Sequence, residues 1–465
     1  MAKLYVFGIG GTGSRTLRAL TMLLASGVRC DFETIVPIII DPDISAADMT
    51  RTVDVLNRYM AVRKALDFNS ANKNQFFKTE ISHLQDMDSF KLTLENTENV
   101  TFKDFIKLNQ MDTESKALMS MLFSQANLDS DMVVGFKGNP NIGSIVLNQF
   151  AASDAYKAFS NNFEEGDRVF IISSIFGGTG ASGFPLLLKT LRNDESKIGA
   201  VTVLPYFNVE QDDNSGVDSS TFYSKTKSAL AYYERNITGN NSINALYFIG
   251  DNMPASYKNH DGGSEQKNNA HMIELYAALS ILNFASTPDE SLTGKTKTYE
   301  FGIDTCDEDI KQVIFKDLGP ETKGLIQKGL TMFFLMNKYI KNELDDEYKH
   351  QPWAVDCGLD DNFFTSDFFK DLMRFEDAFA TWLDELDNNK RSFKPFAQEK
   401  DNPLFDLVNG QKARKLPVLS RNYSLLDSTM NGNWKGWNKS ASKEQKFIEL
   451  FYRATDKLTL KKFNF

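Results

Sequence analysis

Phe170-Ile171-Ile172-Ser173-Ser174-Ile175-Phe176-Gly177-Gly178-Thr179-Gly180-Ala181-Ser182-Gly183 decides the fold of this 465-residue chain. An apolar run leads straight into a glycine-rich turn, and Phe184-Pro185-Leu186-Leu187-Leu188 then opens a helix. Strand, glycine turn and helix start together form a cradle for an anion. Glycine reaches backbone conformations closed to other residues. The free amides of the helix start and the positive end of its dipole then face a negative group. Thr179 and Ser182 add hydroxyl donors. A tight bend alone also explains a glycine turn, so the neighbouring sequence has to decide.

Two further glycine loops precede it. Leu4 to Phe7 reads as a short buried strand, followed by Gly8-Ile9-Gly10-Gly11-Thr12-Gly13-Ser14 and a helix carrying Leu17, Leu20, Leu23 and Leu24. This loop suits dinucleotide enzymes, adenylyl transferases and nucleotide switches alike. The strand Asp131 to Gly135 leads to Phe136-Lys137-Gly138-Asn139-Pro140-Asn141-Ile142-Gly143-Ser144 and another helix. Between them, the strand Thr34 to Ile40 ends in Asp41-Pro42-Asp43. An acid there serves a ribose hydroxyl, a phosphate-bound magnesium or a plain Asp-Pro turn.

Further strands are read at Gly199 to Tyr206 and Asn244 to Asp251, with a helix from Ser219 to Glu234 between them. Strands and helices alternate from residue 1 to about 255. That pattern predicts an α/β fold with a Rossmann-like, mainly parallel sheet covered on both faces. Ligands of such sheets sit at the carboxyl ends of the strands, where all three glycine loops begin. Residues 45–130 read as a helical insertion, with helices at Met49 to Leu66 and Ser115 to Ala126. A long apolar helix follows from Lys267 to about Ser286, within a segment 256–288. His271 and Glu274 share one of its faces, as a ligand edge or as a structural pair.

Beyond that helix the pattern is largely helical. Residues 289–400 read as a second domain, with helices Leu325 to Leu344 and Phe363 to Leu386 and short strands at Thr298 to Ile303 and Gln312 to Phe315. Residues 401–465 form a C-terminal extension with a helix from Lys443 to Lys457 and an extended tail after it. Phe363, Phe364, Phe368, Phe369, Phe375 and Phe379 form an aromatic stripe, either core or a partner surface.

Composition excludes several classes. A formal charge of −10 disfavours nucleic acid as a partner. Cys30, Cys306 and Cys357 are widely spaced, and the four histidines show no zinc-ligand pattern. No apolar run is long enough to span a membrane. A cytoplasmic location is expected.

Four features in order resemble the tubulin/FtsZ superfamily, and within it the bacterial tubulin-like proteins. Gly8-Ile9-Gly10-Gly11-Thr12-Gly13 is similar to the family's first loop, and Ile40-Asp41-Pro42-Asp43 to its acidic second loop. Gly138-Asn139-Pro140-Asn141-Ile142-Gly143 resembles the loop that touches the γ-phosphate. Phe176-Gly177-Gly178-Thr179-Gly180-Ala181-Ser182-Gly183 resembles the tubulin signature. The resemblance covers roughly residues 1–286. It implies GTP or GDP as ligand, with phosphates held by Gly10, Gly11, Thr12, Gly13, Gly138, Asn139, Gly143, Gly177, Gly178, Thr179, Gly180, Ala181 and Ser182. It places Asn269, His271 and Glu274 at the base, and Asp41 and Asp43 near Mg²⁺. A Glu carboxylate accepts from guanine N1–H and the exocyclic amine together.

The resemblance further implies assembly into homo-oligomers or filaments. It departs at two points: the region after Ser286 is more helical than the family's usual second domain, and the family's hydrolysis loop is missing. The family's Gly-x-x-Asn-x-Asp-x-x-Asp/Glu loop has no counterpart in Thr287-Pro288-Asp289-Glu290-Ser291-Leu292-Thr293-Gly294-Lys295. Asp289, Glu290, Asp304 and Asp307 are out of register with it. No catalytic acid is assigned, and slow or conditional GTP hydrolysis is expected. A catalytically idle scaffold that binds a partner protein through its helical C-terminal region is the other reading. A dinucleotide or adenylyl-transfer enzyme would need a catalytic cysteine or a His/Asp-rich pocket, and neither is visible.

Overall fold

The computed structural model describes residues 2–43, 45–68, 73–92, 94, 95, 97, 100–132, 136, 139–192, 196–209, 222–251, 255–257, 267–300, 311–342, 344, 346–398, 406–414, 424–433 and 441–465. Among the described residues eight strands build the main sheet: β1 (Lys3–Ile9), β2 (Thr34–Ile40), β3 (Glu80–Ile81), β4 (Lys91–Leu92), β5 (Arg168–Ser174), β6 (Lys197–Val203), β7 (Ala245–Ile249) and β8 (Lys297–Glu300). Their order is β8-β7-β6-β5-β1-β2-β3, with β4 also on β2. Every one of these pairings is parallel. The fold is α/β, as the alternation of strands and helices predicts. β5 is buried along its whole length, which is why it reads as an unbroken apolar run rather than as an alternation.

Helices cover both faces. Those nearest the glycine loops are α1 (Gly10–Ala25), α2 (Ala47–Lys64), α3 (Pro140–Leu147), α4 (Gly178–Leu191) and α5 (Met272–Ser286). Successive strand residues point to opposite faces. A Cβ on Gly8 would meet Leu17 of α1, and one on Gly199 would meet Phe284 of α5. Gly8 and Gly199 lie on the same side in the β1–β5–β6 register, so α1 and α5 share a face. Ile9 points the other way, against Gly183 of α4.

The helix α5 starts at Met272, five residues later than its apolar pattern suggests. His271 caps it, and Glu274 closes a reciprocal capping box. Its other end is held by Arg168, whose guanidinium donates to the carbonyls of Phe284 (2.7 Å) and Ala285 (3.3 Å) and to Asp289 (2.8 Å). Orphan carbonyls at a helix end need such donors when they are buried.

Three elements differ from expectation. The 45–130 segment also contributes β3 and β4 to the sheet. The Thr298 strand belongs to the same sheet, as its edge on β7, and covers Lys297–Glu300. The last helix runs on to Phe463, because Leu458 and Phe463 are buried on its inner face, so no extended tail follows Lys457. Val133, Val134 and Gly135 of the expected strand Asp131 to Gly135 lie outside the described residues, as do Asp304, Cys306 and Asp307. Among the described residues no helix is long and apolar enough to cross a membrane.

The C-terminal helices α6 (Pro320–Asn342), α7 (Asp367–Asp387) and α8 (Lys443–Phe463) pack on the sheet domain. A chain of rings runs Tyr59–Phe77–Phe375 and Phe76–Phe333–Phe379, with centroids 4.8 to 5.2 Å apart. Phe363, Phe369, Phe375 and Phe379 are buried, so the aromatic stripe is core. The expected helix Phe363 to Leu386 is broken near Ser366, whose hydroxyl caps α7.

Within this layer Glu376 is fully buried and accepts from Asn337 Nδ2 at 2.6 Å. Burial, more than the Asp377 charge, pushes its carboxyl up to about 8. Its folded value therefore exceeds its unfolded value near 4.5, and ionisation works against the fold. Stability is expected to fall as pH rises from about 4.5 to 8, by about 1.4 kcal/mol per unit at most. Glu376→Gln should remove that component. Thermal unfolding from pH 5 to about 9 checks it: the variant should gain on the parent steadily up to about pH 8, and a constant difference would contradict the assignment.

Candidate functional site

The first and last glycine loops meet at the carboxyl edge of the sheet. α1 begins at Gly10 directly after β1, with φ of +69°, a left-handed value that favours glycine. A Cβ there would stand 3.4 Å from Thr179 Cβ and 3.9 Å from the Gly180 amide nitrogen. The two helix starts therefore lie side by side. Neither has a side-chain cap: Ile9 precedes α1 and Gly177 precedes α4, and neither helix has an acid in its first turn. Their first amides are thus left to a ligand or to water. Gly11, Gly177, Thr179 and Ala181 are half-buried at this rim, whereas Gly10, Thr12, Gly13, Gly178, Gly180 and Ser182 are buried behind it.

The third loop behaves differently. Asn139 Oδ1 accepts from the amides of Asn141 (3.1 Å) and Ile142 (3.4 Å), so α3 caps itself. Gly143 packs directly on α4, where a Cβ would collide with Ser182 Oγ. Ser182 Oγ in turn donates to the Gly178 carbonyl at 2.7 Å. Lys137 and Gly138 lie outside the described residues.

β2 delivers Asp41 and Asp43 beside this rim. Asp41 Oδ1 accepts from the Asp43 amide at 3.1 Å, and Asp43 Oδ1 from Ser45 Oγ at 2.8 Å. This is also the local bonding of an Asp-Pro turn. Burial, with the nearby Asp43 and Asp48 charges, pushes the Asp41 carboxyl up to about 7. Among the described residues no three His, Cys, Asp or Glu side chains group to hold a metal ion. A small apolar crevice lies beneath, between Ile9, Ile40, Leu147, Phe150 and Leu187.

At the start of α5 the three expected base residues occupy different environments. Asn269 is exposed, while His271 and Glu274 are buried. His271 Nδ1 accepts from the Ile273 amide at 3.1 Å. Burial and the Arg15 charge push His271 down to about 3, so the ring is neutral and free to accept. Glu274 Oε2 accepts from the His271 amide at 2.9 Å. Its Oε1 accepts from Arg15 Nε and from Tyr206 OH (3.1 Å).

Arg15 is the residue that reading the sequence missed. It is buried on α1 and also binds Asp48 Oδ2 at 2.7 Å. Burial raises the Asp48 carboxyl, but the Arg15 charge and hydrogen bonds from Asn268 and Arg51 outweigh this and hold it low. Glu385 of α7 joins the same cluster, accepting from Arg18 at 2.6 Å and from Arg51. A signal for it exists: Arg15 and Arg18 stand on a helix otherwise made of small and apolar residues. A buried charge needs a partner.

No family model and no curated protein matches the chain. Among solved structures the chain is similar to a mutant FtsZ from M. jannaschii at 16% identity, over 54% of this chain and 46% of that one, with a TM-score of 0.28. It is similar to CetZ2 from Haloferax volcanii in a GTPγS-bound protofilament, at 13% identity over 63% and 61% of the two chains and a TM-score of 0.30. It is also similar to TubZ from Bacillus thuringiensis serovar israelensis in a GTPγS-form protofilament, at 12% identity over 81% of each chain and a TM-score of 0.24. The chain matches about half the length of the FtsZ structure.

Proposed function

We propose that this chain is a tubulin-like protein that binds GTP or GDP and assembles with copies of itself, with slow or conditional hydrolysis. One observation carries the reading. Two uncapped helix starts, those of α1 and α4, stand side by side at the carboxyl edge of a parallel sheet. Each presents free amides and a positive dipole end, and two together suit a polyphosphate better than a single anion. In this reading Gly10 to Gly13 and Gly177 to Ser182 hold the phosphates, with Asn139 and Gly143 behind them. Asn269 reaches the base, while His271 and Glu274 hold the turn that carries it. Mg²⁺ would neutralise phosphate charge, and in this reading Asp41 and Asp43 would hold its water shell.

Purified protein should bind GTP more tightly than ATP, and pelleting or electron microscopy with GTP should show polymers. Asp41→Asn should weaken the Mg²⁺ dependence of binding. Equal affinity for both nucleotides, or none, would contradict the proposal.

A second reading is a catalytically idle scaffold that binds a partner protein through its helical C-terminal region. It draws on Asp289, which is paired with Arg168 and so already engaged. GTP turnover by the isolated protein would remove it.

A further inference from the structure

We infer that the helical C-terminal region completes the proposed nucleotide site: Glu385 and Asn389, on α7 and just past its end, are positioning residues for the turn 268–271. The inference rests on the proposed nucleotide reading for its ligand, but its geometry stands by itself. This turn enters α5, and its backbone is pinned from two sides. On the side of the sheet domain, Asp48 accepts from the Asn268 amide (3.0 Å) and from Asn268 Nδ2 (2.9 Å). Arg51 donates to the Asn268 carbonyl at 2.6 Å. On the C-terminal side, Glu385 Oε2 accepts from the Ala270 amide at 2.9 Å. Asn389 Nδ2 donates to the Ala270 carbonyl and to the Glu385 carbonyl (2.9 Å).

The two sets of bonds flank Asn269. Asn268 is fixed by α2, Ala270 by Glu385 and Asn389, and Asn269 between them is exposed. A side chain presented from a turn keeps its place only if its neighbours are held, and a shift of about 1 Å is costly to recognition. Glu385 is well suited to the task because it is itself immobile. Arg18 and Arg51 hold both its oxygens, and it is 8% exposed. The carboxylate stands 115 residues beyond Ala270 in the chain, so only folding of the C-terminal region supplies it. The phosphate rim, by contrast, is built from the starts of α1 and α4, and among the described residues no hydrogen bond joins α7 to it; Arg18, which Glu385 holds, lies farther along α1, beyond its first turn. Loss of the α7 contacts therefore acts on base recognition and spares phosphate binding.

The test uses the full chain with Asn389→Ala and Glu385→Gln. Asn389→Ala keeps every charge in the cluster and so guards against simple misfolding of the second variant. GTP, ATP and inorganic tripolyphosphate are titrated into each, alongside hydrogen exchange of the 267–275 segment without ligand. Expected results are faster exchange there in both variants, and GTP affinity lowered about tenfold in Glu385→Gln and several-fold in Asn389→Ala. Tripolyphosphate affinity should stay unchanged and GTP-over-ATP preference should shrink. Unchanged exchange in the segment, or GTP and tripolyphosphate weakened alike, would overturn the inference. A parent protein that binds no nucleotide would sink the proposed function alone, because the exchange measurement still decides whether α7 positions the turn.

Discussion

Arg15→Leu is expected to cost about 3–5 kcal/mol of stability, among the largest effects of any single substitution in this chain. Arg15 is flanked by two carboxylates, Asp48 and Glu274, whose side chains are each 1% exposed. Removing the cation leaves Glu274 buried with only Tyr206 and its own helix amide as partners. Asp48 keeps Arg51 and Asn268, so most of the loss falls on Glu274 and the start of α5. The cost comes from an uncompensated buried charge rather than from a missing attraction. Removing both members should therefore hurt less than adding the two single losses. Urea unfolding of Arg15→Leu, Glu274→Gln and the double variant checks this. Additive losses would show that the pair is not coupled.

Gly13→Ala should be the second large effect. A Cβ at this position would stand 2.4 Å from the carbonyl carbon of Gly8 and 2.7 Å from its Cα. Both are backbone atoms of a central strand and cannot swing aside. The N-terminal turn of α1 would have to lift off β1, taking Gly10 and the phosphate rim with it. Overpacking of this kind costs about 1–3 kcal/mol or more, and it opposes the gain of about 1 kcal/mol that Ala brings to a helix. Gly324→Ala is the matched comparison. Gly324 lies in α6 with nothing within 4 Å of its would-be Cβ, so there the helix gain should appear alone. Thermal unfolding should rank Gly324→Ala above the parent and Gly13→Ala well below it. Gly13→Ala should also lose nucleotide affinity, because the rim moves.

How much of the fold is legible follows from how local each signal is. β1, β2 and β5 can be read to within about two residues at each end, since a buried parallel strand is a continuous apolar run. The glycine loops are legible where a glycine answers to a contact a few residues away, as Gly13 to Gly8 and Gly180 to Ser174, or to its own φ, as at Gly10; Gly143 and Gly183 answer instead to distant Ser182 and Ile9. Errors concentrate where the deciding contact is distant. β8 reads as part of a second domain because nothing in Thr298 to Ile303 says that β7 will pair with it. The apolar pattern of α5 extends back to Lys267, and it cannot show that His271 turns its ring back onto the Ile273 amide.

The amino-acid sequence by itself determined the strand–turn–helix units, the glycine-rich loops and the α/β class. Each of these depends on residues within one or two turns of one another. Only tertiary structure decided which loops touch, with Gly10 against Thr179, and which polar residues are presented or withdrawn. Glu274 and Asn269 look alike as polar residues at one helix start. One is buried because Arg15 arrives from 259 positions away, and the other is exposed between two pinned neighbours. Pairing across such distances is set by the order of strands and the packing of helices, and no local pattern of side chains encodes it.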